Sequence, residues 1–142
     1  MELGESQTSL TREVEIGHVH EGEFLCIATY LPIRNWRHVF PFLNLSRKVQ
    51  NQLRNTVGVI RYGVKADFFH KKFWTFTVWS DRSYIEPFVK KYPHAEAISR
   101  FKDWAGAGAA FVEWTSKDGS IDWNMAYEKL QNPTFYYDKS KV

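Results

Sequence analysis

The sequence lacks the features that would place it in several large classes of protein. It has one cysteine, so no disulfide can form within the chain, and the apolar run around Cys26 predicts a buried thiol in a reducing compartment. No apolar run approaches the roughly 20 residues that a membrane-spanning helix needs. Residues 1–10 are polar and acidic, and no signal peptide is expected there. The sequence therefore predicts a cytoplasmic protein without a membrane span.

Charge of one sign is also scarce. The 19 Lys and Arg residues against 16 Asp and Glu leave a formal net charge of +3, and the basic residues are spread along the chain. A nucleic-acid partner is therefore not expected. Phosphate-binding loops, nucleophile elbows and catalytic triads are missing from the sequence. His18 and His20 form the only pair of histidines with metal-ligand spacing, which alone is a weak signal.

Aromatic residues, in contrast, are abundant. Six Trp, seven Tyr and eleven Phe make up 17% of the 142 residues, which excludes a disordered chain. The length suits one domain. Residues 1–22 hold five Glu against one Arg and few large apolar side chains. The sequence therefore predicts a flexible or loosely docked acidic arm over residues 1–22 and a single domain over residues 23–142.

Hydrophobic periodicity predicts an α+β fold. Strand-like runs alternate with helical stripes in the order βαββαβ, and a short C-terminal helix follows, which is the ferredoxin-like arrangement. Gly58 and Gly63 are predicted bulge or close-approach points, and Pro93 interrupts the second helical region. The predicted strands are 24–31, 57–68, 72–79 and 109–115, and the predicted helices are 36–55, 81–104 with its interruption, and 122–130.

The third predicted strand has two apolar faces. Alternate side chains of a strand point to opposite faces, so Phe73 and Trp79 share one face while Trp74 and Phe76 share the other. Two helices can cover only one face of such a sheet, and a large exposed apolar patch usually marks an interface. We therefore expect a homodimer through the open sheet face. A different partner, or the N-terminal arm, is the alternative cover.

Several motifs resemble those of a known superfamily. Residues 73–81 read FWTFTVWSD, and residues 88–89 and 94–97 follow as FV and HAEA. Further agreement comes from RNWRH at residues 34–38. The remaining matches are AFVEW at residues 110–114 and DWN at residues 122–124. Over about residues 24–130 the chain resembles the dimeric α+β barrel superfamily of antibiotic-biosynthesis-monooxygenase-like proteins, near a branch similar to spheroidene monooxygenase.

The resemblance implies a function. A ferredoxin-like domain that pairs as a dimeric α+β barrel would act as a monooxygenase-type oxidoreductase. The aromatic residues suit a pocket between sheet and helices for a flat hydrophobic ligand, with haem or a polyene or aromatic substrate as candidates. The alternative is a non-catalytic homodimeric protein of the same fold that binds a ligand or serves a stress-related role.

Two residues are the catalytic candidates. Trp79 ends the third predicted strand, and in haem-degrading relatives the matching Trp packs on the macrocycle; the alternative is an ordinary core Trp. His94 starts the resumed helix and could act as a base or as a haem-iron ligand, and otherwise as a capping or surface residue. The ligating His of those relatives corresponds to Ile98, one helical turn later. His94 is therefore a metal ligand only if haem is bound.

A polar and aromatic cluster opens the first predicted helix. Arg34, Trp36, Arg37 and His38 could bind a carboxylate or a haem propionate, with surface ion pairs as the alternative. Trp104, on the apolar side of the second helical region, completes the predicted ligand-binding set. Separately, Arg61 and Lys65 are expected to pair with Glu113 across a dimer sheet, since buried charges need partners.

Overall fold

The computed structural model describes residues 9–17 and 22–137. His18 and His20, and with them the weak metal-spacing signal, lie outside the described residues. Short 3-10 turns at Trp36–His38, Phe68–His70 and Arg82–Tyr84 connect the longer elements. Those elements are β1 (Ser9–Glu15), β2 (Phe24–Pro32), α1 (Val39–Arg54), β3 (Val59–Asp67), β4 (Lys72–Trp79), α2 (Ile85–Lys90), α3 (His94–Trp104), β5 (Ala110–Ser116), α4 (Trp123–Lys129) and β6 (Phe135–Tyr136).

One antiparallel sheet organises the chain. Its strand order is β1-β3-β4-β2-β5-β6. The four central strands, with α1 after β2 and the α2–α3 pair after β4, form the predicted βαββαβ arrangement, so the ferredoxin-like α+β fold is confirmed. Within the part of the chain that the structure describes, no helix combines the length and the hydropathy that crossing a membrane requires.

The predicted helix boundaries depend on local capping. Asp81 accepts a hydrogen bond from the backbone N–H of Ser83 at 2.8 Å, and Asp122 accepts one from the backbone N–H of Met125 at 3.1 Å, so each carboxylate caps the turn or helix that follows it. Asn35 differs, because its side chain makes no cap bond and only its carbonyl receives an N–H. Pro93 separates α2 from α3, as predicted.

Two glycines allow close approaches. At Gly58 the backbone φ is +97°, and a Cβ there would lie 2.2 Å from the Tyr84 ring. At Gly63 a Cβ would lie 3.0 Å from the Trp123 ring, which packs over β3. Both predicted close-approach points are confirmed. The missing Cβ makes room for the Tyr84 ring at Gly58, just before β3, and for the Trp123 ring at Gly63 within β3.

The second face of the sheet is covered by the chain's own C-terminal helix. Trp74 and Phe76 are 4% and 0% exposed, and they pack with Tyr127 and other residues of α4. The Trp74 and Tyr127 rings meet edge to face with centroids 6.0 Å apart. The expectation of large exposed rings on this face is therefore wrong, and so is the argument for a homodimer through it. Homodimerisation itself stays a prediction.

The N-terminal segment also departs from the prediction. Residues 9–15, inside the predicted flexible arm, form an edge strand that pairs along β3 from Ser9↔Asp67 to Glu15↔Arg61. The segment has few apolar residues because an edge strand with one solvated side needs few. Backbone pairing, which composition does not reveal, holds this segment to the sheet.

Candidate functional site

A cavity of about 310 Å³ lies between the sheet and helices α1, α2 and α3. It occupies the face opposite α4. Its floor comes from alternate residues of β2, β4 and β5, and its walls come from the apolar stripes of the helices. The floor residues are Ile27, Thr29, Leu31, Thr75, Thr77, Trp79, Phe111 and Glu113, and the main wall residues are Phe42, Leu45, Val49, Phe88, His94, Ala97, Phe101 and Trp104.

Part of the cavity floor is formed by threonines and not by large side chains. Thr29 and Thr75 are directly opposite each other on β2 and β4, and Thr77 follows on the same face. These side chains are small compared with Trp74 and Phe76, which fill the other face of β4. The alternation of threonine with large rings along β4 therefore leaves empty space on one face only.

Trp79 forms one end of the cavity. It is 1% exposed and packs against Phe88, with ring centroids 5.4 Å apart. Its indole N–H donates to Thr77 Oγ1 at 2.9 Å, so the buried polar atom is satisfied. Trp79 is thus both a core residue and a wall of the cavity, and its ring is held in one orientation.

His94 is the first residue of α3 and lies at the same end of the cavity. Its ring is 4.7 Å from the Phe88 ring, centroid to centroid. Its Nδ1 atom is buried and has no hydrogen-bond partner among the residues that the structure describes. Burial lowers the pKa of His94 below its usual value, and a weaker backbone contact with Val89 acts in the opposite direction. The imidazole is therefore neutral at pH 7 and can accept a proton.

Gln52 of α1 fixes the position of His94. Its side-chain oxygen accepts the backbone N–H of His94 at 3.1 Å, and its amide N–H donates to the carbonyl of Phe88 at 3.0 Å. One side chain therefore joins the end of α2 to the start of α3. Sequence reasoning missed this residue, because Gln52 reads as part of the polar face of α1.

Glu113 is the acidic group of the cavity, and its partner differs from the predicted one. It forms a two-pronged ion pair with Arg82, at 2.7 and 3.3 Å, within one chain. Arg61 instead pairs with Glu15 at 2.8 Å, and Lys65 lies over aromatic rings beneath α4. Within one chain, Arg61 and Glu113 therefore have other partners, and a pairing of Arg61 and Lys65 with Glu113 across a dimer stays a prediction.

Tyr137 closes another side of the cavity, and no motif in the sequence singles it out. Its ring meets the Phe101 ring edge to face with centroids 5.3 Å apart. Its backbone N–H donates a hydrogen bond to the carbonyl of Ala109 at 2.8 Å. Burial raises the pKa of Tyr137 to about 12. The hydroxyl therefore stays protonated at neutral pH, when it can donate a hydrogen bond.

Only part of the predicted ligand-binding set lies at the cavity. Arg34, Trp36 and Arg37 are exposed around the turn before α1 and do not line the cavity; Arg34 donates to the carbonyl of Ala105 at 3.0 Å. Trp104 does line the cavity. The His38 ring stacks on Trp104 with centroids 6.2 Å apart, so His38 borders the wall from outside.

The cavity does not fit haem. Pockets for drug-sized ligands measure about 300–1,000 Å³, and this one is at the lower limit, whereas haem is a large macrocycle with two propionates. No Lys or Arg occurs among the described lining residues, and the nearby Arg82 is already paired with Glu113, so the lining offers no cation to the propionates. His94 is the one imidazole among the described lining residues. Nowhere in residues 9–17 and 22–137 do three His, Cys, Asp or Glu side chains come together as a metal site.

Comparison with known proteins agrees with the fold. No family model matches the chain, and no curated protein matches it. An antibiotic biosynthesis monooxygenase of known structure superposes with a TM-score of 0.55 and 12% identity, covering 69% of this chain and 99% of the other. A conserved protein from Methanosarcina mazei gives 0.57 and 13%, covering 64% and 90%.

A heme-degrading enzyme from Listeria monocytogenes is also similar in structure. Its TM-score is 0.56 at 13% identity, and the match covers 72% of this chain and 65% of that one. At such identities the likeness concerns the fold alone, and the finer resemblance to spheroidene monooxygenase stays a prediction. The chain thus has the α+β fold of the antibiotic-biosynthesis-monooxygenase-like proteins.

Proposed function

We propose that the protein binds a small, flat, apolar molecule in the cavity and oxidises it with dioxygen. The observation that carries this proposal is the neutral His94 nitrogen, which has no partner among the described residues and lies at the end of a mostly apolar cavity. A buried polar atom without a partner carries an energetic cost. Trp74 Nε1 and Tyr127 OH are also buried without a partner, but they lie in the packed core of the α4 face, whereas His94 lines the cavity, where a ligand can supply the partner. A substrate with a weakly acidic hydrogen would supply the missing partner.

The shape and chemistry of the lining define the substrate class. The floor is a sheet surface and the walls are aromatic and aliphatic, which suits a planar molecule of two or three fused rings. The Thr75 and Tyr137 hydroxyls can donate hydrogen bonds to an oxygen substituent of the ligand. The substrate is therefore an aromatic or conjugated molecule with a hydroxyl or carbonyl group.

His94 has a defined role in this reaction. It takes a proton from the acidic carbon or hydroxyl of the substrate, and the resulting anion is electron-rich enough to react with dioxygen. In a substrate whose acidic carbon is a CH₂ group, one atom of O₂ becomes the oxygen of a carbonyl at that carbon. The other oxygen atom leaves as water with the two hydrogens of that CH₂ group. The substrate supplies all the electrons, so no haem or further reductant is needed for the balance.

Anthrone, a three-ring ketone with an acidic CH₂, is a suitable probe. Oxygen uptake and the absorbance of the quinone product are measured with the wild type, with His94→Gln and with His70→Gln. His70, exposed on the turn between β3 and β4, is the matched control. We expect uptake matched one to one by product, a loss of about 10²- to 10⁴-fold in His94→Gln, and no change in the control.

The same experiment separates catalysis from simple binding. If anthrone binds with the expected stoichiometry and uptake stays at the rate measured without protein, the protein is a ligand-binding protein of this fold and not an oxygenase. If anthrone and related fused-ring molecules do not bind at all, the whole proposal fails. Haemin serves as a further probe: we expect no Soret change that depends on His94.

A further inference from the structure

A second apolar surface lies outside the cavity, around the start of α1. The aromatic side chains of Trp36, Phe40 and Phe69 are 55%, 80% and 75% exposed. Residues with this much exposed ring are unusual, since an aromatic side chain of a monomer is normally mostly buried. We call Trp36, Phe40, Phe68 and Phe69 the aromatic patch.

These residues come from two elements that touch. Lys71 Nζ lies 5.1 Å from the centre of the Trp36 ring, and the Lys71 carbonyl accepts the backbone N–H of Ile33 at 2.8 Å. Phe40 follows Trp36 by four residues, where the short turn Trp36–His38 leads into α1, and both rings are exposed. The turn that carries Phe69 is therefore held beside the start of α1.

A second cavity, of about 220 Å³, extends the patch toward the β1 edge of the sheet. Phe68 forms part of its wall together with Leu10 and Leu43. Leu10 is itself 63% exposed. The apolar surface thus continues from the tips of the rings into a groove between α1 and the sheet edge.

The charge around the patch has one sign. Residues 33–43 and 68–72 contain four Lys or Arg and no Asp or Glu, although the whole chain carries only +3. Asp67, which precedes the turn, is buried and bonded to His70. Helix α1 continues the trend with Arg47, Lys48 and Arg54 and no acidic residue. Exposed aromatic rings among basic side chains are the composition of surfaces that sit at the headgroup level of a bilayer.

We propose that the aromatic patch docks the protein on an anionic lipid bilayer. Phe40 and Phe69 enter the interface, and Arg34, Arg37 and Lys71 contact the lipid phosphates. An RNA strand would also meet basic and aromatic groups, but rings exposed on a helix start and a turn are suited to insertion rather than to stacking along a strand. The inference does not depend on the proposed activity.

The test is sedimentation of the full chain with sucrose-loaded vesicles. Vesicles of phosphatidylcholine alone are compared with vesicles of phosphatidylcholine and phosphatidylserine. We expect binding to the anionic vesicles only, weakened by added salt. Removing the charge of Lys71 or Arg37 with Gln should weaken binding by about fivefold each, and the double variant Phe40→Ser/Phe69→Ser by at least about tenfold.

Two control variants lie elsewhere on the surface. Tyr92→Ser removes a ring that is 64% exposed near the start of α3, and Val57→Ser removes an apolar side chain that is 75% exposed beyond the end of α1. Both should leave vesicle binding unchanged. Thermal melting of each variant shows that loss of binding is not loss of fold.

Three outcomes would overturn the proposal. The first is a lack of binding to anionic vesicles. The second is binding that the patch variants and the control variants reduce equally. The third is a different occupant: single-stranded RNA bound in place of vesicles, or a dimer in light scattering that the Phe40→Ser/Phe69→Ser variant dissociates.

Discussion

The two faces of the sheet differ in packing, although the same strands form both. On the α4 face, Phe76 meets Trp114 and Trp123 edge to face at 5.3 and 5.8 Å, and the rings fill the space. On the helix face, the same strand presents Thr75 and Thr77, and a cavity remains. A single alternating strand therefore supplies both a close-packed core and a floor with room for a ligand.

The comparison also shows where stability and function divide. Cores are packed to the density of organic crystals, so filled regions tolerate change poorly and empty ones tolerate it well. We expect substitutions on the α4 face to change the free energy of unfolding, and substitutions on the helix face to change ligand binding. Variants on each face test that division.

Phe76→Ala should give the largest loss of stability. Phe76 is 0% exposed and its ring contacts would be replaced by a void, which costs about 3–5 kcal/mol. Phe101→Ala is the matched variant on the other face. Phe101 already borders the cavity, so its loss should fall at or below the lower end of that range. Urea unfolding measures both, and equal losses would contradict the division between the faces.

Adding volume should separate the faces in a different way. Ala28→Leu inserts a larger side chain into the α4 face, where Ala28 is 1% exposed, and should cost about 1–3 kcal/mol. Ala97→Leu points into the cavity and should cost less than about 1 kcal/mol while blocking the ligand. A large stability loss in Ala97→Leu would show that the cavity is not empty.

Gln52→Met tests the positioning of His94. Losing the two hydrogen bonds that join α2 to α3 should cost about 1–2 kcal/mol and lower the rate of oxidation more than the affinity for the probe. Gln50→Met, on the same helix, is the control, because Gln50 makes only a 3.4 Å contact with Ser46. If both variants behave alike, Gln52 does not position the base.

The pH dependence of stability should show the buried His94. Its pKa is lowered in the folded protein, so the unfolded chain binds more protons in the window below about pH 6.5. Stability should therefore be fully present above that pH and decrease as the pH falls through the window. His94→Gln should remove this part of the slope, and an unchanged slope would mean that the imidazole titrates normally.

Much of the fold was predictable from periodicity, and the failures have physical causes. The strongly alternating strand 72–79 and the stripe of α1 were recognised because their patterns are long. The edge strand β1 was missed because its sequence is polar and its pairing is made by the backbone. The role of α4 is not evident from the sequence, although Ala126, Tyr127 and Leu130 form an apolar stripe, because the stripe of a short helix does not indicate which face of the sheet it covers.

The candidate site was only partly predictable. Trp79, His94 and Trp104 line the cavity as expected, since they lie on elements that the sequence placed correctly. Arg34 and Arg37 do not, because the turn at residues 36–38 directs them to the surface. The positions of Glu113 and Tyr137 at the cavity are evident only from the tertiary structure. Nothing in the sequence connects Glu113 with Arg82, or the C-terminal segment with the cavity.

The central claim is that the helix-face cavity binds the substrate, and a titration under anaerobic conditions tests it most directly. Anthrone is added to the wild type, to Ala97→Leu and to Ala28→Leu while tryptophan fluorescence is followed. We expect saturable one-to-one quenching of the tryptophan fluorescence in the wild type and in Ala28→Leu. The affinity of Ala97→Leu for anthrone should be at least about tenfold weaker. Equal affinity in Ala97→Leu and the wild type, or a greater loss in Ala28→Leu, would contradict the central claim.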